Sequence, residues 1–209
     1  RMGCRVHAHQ QASDAMSEAR PGFGTRHPLV AAAIATSEPL ESLETAWLDG
    51  TLPLRLTGYL DRPDLPDEVT LSVRCIVRVE ASFVMCTSAD GSHGWPGGRR
   101  EAGESHEDTA IREVHEETGW MLERDSIRYL GWLHWEQLSP MPEDHPWPYP
   151  DFIQVVYTAR ATTRAAEEWT DTEGYELTSS LVTMDEASAA FPDNTVCLAM
   201  MRAAPICRQ

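Results

Sequence analysis

Gly98-Arg-Arg-Glu-Ala-Gly-Glu104, seven further residues, then Arg112-Glu-Val-His-Glu-Glu-Thr-Gly-Trp120 is the most strongly patterned segment of the chain. Its second half has helical spacing. Ser105 is placed to cap a helix over His106–Thr118, Asp108 stands three residues on as an approximate capping box, and Gly119 supplies a stop. On that helix Glu113, Glu116 and Glu117 occur at i, i+3 and i+4, so three carboxylates project from one face, while Ile111 and Val114 lie on another side and can anchor the helix to a sheet. Glu104 just precedes the helix and can lean toward the same place. Glu113 and Glu117 form a like-charge i,i+4 pair, which costs a few tenths of a kcal/mol unless something cationic lies between them. Hard oxygen donors gathered this tightly suit Mg²⁺ or Mn²⁺.

Working outward, the chain reads as dense α/β. Thr70–Val79 and Ser82–Thr87 have strand composition and are joined by a tight turn at Glu80-Ala81, followed by a Gly-rich loop, Trp95–Arg99. Beyond the helix, Ile127–His134 and Phe152–Ala161 read as strands separated by a Pro/Trp-rich loop, Ser139–Pro150. Leu181–Thr183 reads as a short strand, Thr183-Met-Asp-Glu186 as a capping box that opens a helix, and Asp193–Ala203 as a last helix. Toward the N-terminus, Leu52–Leu60 alternates as a strand and Asp61–Asp67, with Pro63 and Pro66, as a connector. The Ala-rich run and the spacing of Leu40, Leu43 and Trp47 predict one or two short helices over Pro28–Leu48. The expected organisation is a flexible N-terminus over 1–26, an extension of helix and strand over 27–68, and one α/β domain over 69–209. The extension is expected to pack on the domain or on a partner subunit, the second arrangement making a homodimer.

Composition narrows the chemistry. Seventeen basic against 33 acidic residues leave a net charge of −16, and every basic residue is Arg. A chain without Lys has no Schiff-base chemistry, P-loop lysine or lysine general base. The acidic balance argues against binding to nucleic-acid backbones, yet a small anionic substrate is compatible with it, because a bound divalent cation inverts the local charge. Five cysteines, none in a CxxC pair and most in apolar surroundings, read as buried free thiols of a reducing compartment, so a cytoplasmic location is expected. No apolar run approaches the length of a membrane span, and no membrane partner is expected.

The quoted segment fits G-x5-E-x7-R-E-U-x-E-E-x-G-U, with U a bulky apolar residue, at every position. At average residue usage, nine such constraints meet by chance about once in a million chains or less. The pattern resembles the signature box of the Nudix hydrolases, complete from Gly98 to Trp120. The resemblance implies an α/β/α sandwich with a mixed sheet, and hydrolysis of a diphosphate linkage in a compound built as a nucleoside diphosphate joined to another group. It implies Glu113, Glu116 and Glu117 as metal ligands, with the carbonyl of Gly97 completing the shell and Glu104 contributing through water or to a further metal. It implies Arg112 as the residue that orients the glutamates, and Glu117 as the carboxylate with the largest effect.

Substrate choice in that family lies outside the box. Arg99 and Arg100 beside the glycine pair, and Arg74 and Arg78 alternating on a strand, are candidates for phosphate contact. Trp132, Trp135, Trp147 and Tyr149 form a candidate platform for a base, with packing of the Pro-rich loop as the other reading. Glu173 or Glu176 is a candidate general base or extra ligand in the loop before the last strand. A sensor that binds a nucleotide without turnover is the alternative from another class, disfavoured by the intact glutamates. An isomerase on the same scaffold would need Cys or His chemistry that the sequence does not place.

Overall fold

Alternation of apolar and polar residues decides which way each strand faces, and here both faces of most strands are apolar, which requires a covering layer on each side. The protein, seen as a computed structural model, is described over residues 24–48, 50–88, 93–140, 147–165 and 176–205. The elements in order are α1 (Pro28–Thr36), β1 (Pro39–Trp47), β2 (Leu52–Tyr59), β3 (Thr70–Val79), β4 (Ser82–Ser88), β5 (His93–Gly94), α2 (His106–Thr118), β6 (Trp120–Leu122), β7 (Arg128–Gln137), β8 (Asp151–Arg164), β9 (Glu176–Val182), α3 (Met184–Ala190) and α4 (Thr195–Ala203). The strands form a mixed sheet of order β1-β2-β7-β8-β3-β4-β5, in which β6 also pairs with β8 and β9 with β4. β3 and β8 run parallel, and the other pairs are antiparallel.

Odd-numbered residues of β3 and β8 (Val73, Cys75, Val77, Val155, Tyr157) pack with Ala110 and Val114 of α2. On the same face, α1 sets Val30 and Ala33 against Tyr59, Trp132 and Ile153. Even-numbered residues (Ile76, Phe152, Val156), with Leu52, Leu54, Leu56 and Trp135, meet α3 and α4 through Ala187, Val196, Met200 and Met201. The result is an α/β/α sandwich. Among the described residues no helix is long and apolar enough to cross a membrane. Cys75, Cys86 and Cys197 are buried free thiols; Cys4 and Cys207 lie outside the described residues.

Residues 39–47 are a strand, not the second helix their spacing predicts. The register of β1 on β2 slips between Pro39 and Glu41, so a bulge brings Leu40 onto the side that Leu43 and Trp47 already occupy. A bulge imitates helical spacing because its extra residue turns a period of two locally into three. The extension thus lengthens the sheet itself: β2 pairs with β7 from Leu54 opposite Gln137 to Tyr59 opposite Trp132. Its other tie is ionic. Arg26 donates to Asp151 at 2.8 Å and to Glu136 at 2.9 Å, while buried His134 lies 2.6 Å from Asp151. Burial pushes the Asp151 carboxyl up, but the bonds from His134 and Arg26 outweigh it and hold it below the ordinary value.

Candidate active site

The N-terminal half of β3 has β8 on one side. On its other side the segment Trp95–Gly98 takes the place of a strand, with Cys75 N–H donating to Pro96 O and Val73 N–H to Gly98 O, both at 2.9 Å. Glycine is required there at two successive positions. Gly97 has φ of 148°, and a Cβ on it would overlap Val73 O and the Arg74 backbone. A Cβ on Gly98 would overlap the Glu113 carboxylate. The Gly pair therefore lets backbone lie directly against the acidic face of α2.

α2 reaches that position by its own sequence. Ser105 caps it, accepting from Asp108 N–H at 3.1 Å, and Gly119 ends it in the left-handed conformation at φ 69°. Ser105 Oγ also donates to the Asp108 carboxylate, so the reciprocal bond of a full capping box is absent here; it is present at Thr183 and Glu186. Ala110 and Val114 are fully buried against the sheet, which turns Glu113 and Glu117 toward the Gly pair, while Glu116 meets Arg112.

Arg112 is the hub. Its Nε donates to Glu104 Oε1 at 2.7 Å and its Nη2 to Glu104 Oε2 at 3.0 Å, a two-pronged pair. Its Nη1 donates to both Glu113 and Glu116 at 2.9 Å, and its Nη2 also holds the carbonyl of Arg99 at 3.0 Å. One guanidinium thus supplies the cation shared by Glu104, Glu113 and Glu116. Glu117 is held separately, accepting from Gly97 N–H at 2.8 Å. The Arg112 bonds, helped by Glu101 N–H and Thr109, hold the Glu104 carboxyl down to about 2. Burial pushes Glu113 the other way, with Arg112 opposing and Glu116 reinforcing the rise.

Three carboxylates thus come together around Arg112, and a fourth, Glu117, is held by the Gly97 backbone. Among the described residues no three acidic, His or Cys side chains already converge as a metal cage. The donor set is nevertheless that of a hard divalent cation, all oxygen and multiply anionic, with one Arg112 nitrogen within 2.9 Å of both Glu113 and Glu116.

The remaining candidates are dispersed. Arg74 donates to Gly97 O at 2.8 Å and Trp95 O at 3.2 Å, a contact that the sequence does not reveal because it depends on the loop lying along β3. Arg78 shares that face of β3 but sits about 13 Å further along it, stacked 4.5 Å over Phe83. The Arg99 side chain is exposed beside the Gly pair. Trp135 is buried, donates to Gln154 at 2.9 Å, and is covered by Phe152 and Trp47 at centroid distances of 5.7 and 4.7 Å. Trp147 meets Trp47 edge-on at 5.6 Å. Glu173 lies outside the described residues. Burial pushes the Cys75 and Cys197 thiols up to about 12, which leaves neither suited to act as a nucleophile.

An α/β/α sandwich that presents a glutamate-rich helix to a Gly-rich loop is the architecture that the box implies. The model of the NUDIX domain matches residues 69–198, and the chain belongs to that family. No curated protein matches the chain in sequence. Among solved structures it is similar to the Bacillus subtilis pyrophosphohydrolase BsRppH, with 20% identity, 67% of this chain and 77% of that chain covered, and a TM-score of 0.49. A NUDIX hydrolase from Nitrosomonas europaea gives 17% identity, 63% and 85% coverage and the same TM-score. An ADP-ribose pyrophosphatase from Streptococcus suis gives 14% identity, 68% and 96% coverage and a TM-score of 0.42.

Proposed function

We propose that the protein hydrolyses a diphosphate linkage in a nucleoside diphosphate-type compound (a nucleotide, dinucleotide or nucleotide sugar) with Mg²⁺ or Mn²⁺. The observation that carries this reading is the Arg112 hub, which holds Glu104, Glu113 and Glu116 beside a Gly pair that is itself bonded to Glu117. Glu113, Glu116 and Glu117, with Glu104 and the carbonyl of Gly97, would hold the cation. Once bound, such a cation supplies neutralisation of the anhydride oxygens and activation of water. Arg112 fixes the carboxylates so that little reorganisation is left for the reaction itself. The Gly pair allows backbone to approach the phosphates. Arg99, exposed at that lip, and Arg78 further along β3 are proposed for phosphate contact, and the Trp135 cluster for the wall against which a base rests. Glu173 is proposed as the general base.

A panel of nucleoside di- and triphosphates, dinucleotides and nucleotide sugars, assayed for phosphate release with and without Mg²⁺ or Mn²⁺, tests the reading. Metal-dependent turnover of at least one compound is expected. Tight binding of one compound with no turnover of any would replace the hydrolase by a nucleotide sensor.

A further inference from the structure

The carbonyl of Gly97 is in use. Arg74 rises from the middle of β3, and its Nη1 donates to Gly97 O at 2.8 Å and to Trp95 O at 3.2 Å. The other two carbonyls of the segment, those of Pro96 and Gly98, are bonded to β3 backbone N–H groups. Gly97 N–H is bonded to Glu117, so this one residue joins the acidic helix through its N–H and a guanidinium through its carbonyl. The Gly97 backbone presses against Val73 and Arg74 closely enough to exclude a Cβ, which leaves the Arg74 side chain only a short path to that oxygen.

A cation using Gly97 O would meet the Arg74 guanidinium on the same atom, and two positive groups there repel. Arg74 carries a planar fork of donors matched to phosphate oxygens, and a diphosphate bound at the glutamates would lie within its reach. We propose that Arg74 is a positioning residue that latches Gly97 O in the metal-free protein and passes to a diphosphate oxygen when the carbonyl turns to the cation. Loading of the cation and capture of the diphosphate are then coupled through one side chain. The proposal rests on the metal-dependent reading above.

The test is binding, not turnover: Mn²⁺ titrated alone by paramagnetic resonance, and methylenediphosphonate titrated by calorimetry at saturating Mn²⁺, on wild type, Arg74→Met, Arg74→Lys and Arg100→Met. Losing a charge-assisted hydrogen bond that opposes binding should tighten Mn²⁺ on Arg74→Met by about tenfold, while the diphosphonate weakens by about tenfold. Opposite signs are the signature. Arg74→Lys should fall between, and Arg100→Met, which removes an equal charge from an exposed pair with Asp67, should leave Mn²⁺ within about twofold of wild type. A purely structural clamp would weaken both ligands on Arg74→Met. A plain phosphate contact would weaken only the diphosphonate. A field effect would tighten Mn²⁺ equally on Arg100→Met. Each of these overturns the latch and leaves the hydrolase reading standing. Wild type that binds no Mn²⁺ overturns both.

Discussion

Glu117 accepts from the Gly97 backbone N–H, whereas Arg112 holds Glu104, Glu113 and Glu116, so the Glu117 carboxylate faces the Gly pair directly. Glu117→Gln keeps size and reach but removes the charge, and turnover should fall by about 10²–10³. Glu107→Gln removes the same charge from the exposed first turn of α2 and should change turnover by no more than a few-fold. Steady-state rates on the two variants decide whether position or mere charge matters. Glu104 gives a pH dependence whose sign is fixed. Its folded pKa, about 2, lies below the unfolded value. The stability it contributes is therefore complete above about pH 4.3 and is lost as pH falls through the folded value. Wild type should exceed Glu104→Gln in denaturant midpoint at pH 7, and the gap should narrow steadily between about pH 4 and 2. A gap unchanged at low pH would remove Arg112–Glu104 as its source.

The glycine that ends α2 and the glycine against which α2 packs do different work. Gly119→Ala forces a Cβ into a left-handed turn, which costs about 1 kcal/mol, with the glutamates left in place. Gly98→Ala drives a methyl into the Glu113 carboxylate. The expected contrast is a lowered melting point with near-normal rate per folded molecule for Gly119→Ala. Gly98→Ala should show a greater loss of activity than of stability. Thermal unfolding and rates on the same samples separate them. The helix and its caps were legible because capping, the Gly stop and i+3/i+4 spacing are local. β1 was not, since a bulge is defined by the strand opposite, and only the pairing with β2 shows that Leu40 and Leu43 share a side.

For the whole molecule, α1 and the two sheet strands β1 and β2 all precede the family match, which starts at residue 69. Removing everything before Asp61 would strip α1, β1 and β2, uncover Leu133, Trp132 and Trp135, and leave buried Asp151 without Arg26. Tyr59 stacks on Trp132 at a centroid distance of 4.2 Å. A chain starting at Asp61 should be insoluble or lack a cooperative transition, whereas Arg26→Ala should fold with a loss of about 2 kcal/mol from its charged hydrogen bonds. Chemical denaturation of the point variant and the soluble yield of the truncation check this. Folding of the truncated chain with wild-type stability would show the extension to be dispensable.

Near neighbours along the chain were enough to read the α2 boundaries, the shared face of Glu113, Glu116 and Glu117, the strand pair flanking Glu80-Ala81, and the family that the box implies. Tertiary structure alone decided what depends on contacts between distant segments. It brought Gly97 against Glu117 and Arg74 across 20 and 23 positions. It sent Arg78 to Phe83, enclosed Trp135 between Trp47 and Phe152, and made residues 39–59 part of the sheet. Spacing encodes the direction of a side chain relative to its own element, whereas its partner is chosen by register and by which faces the packed layers bring together.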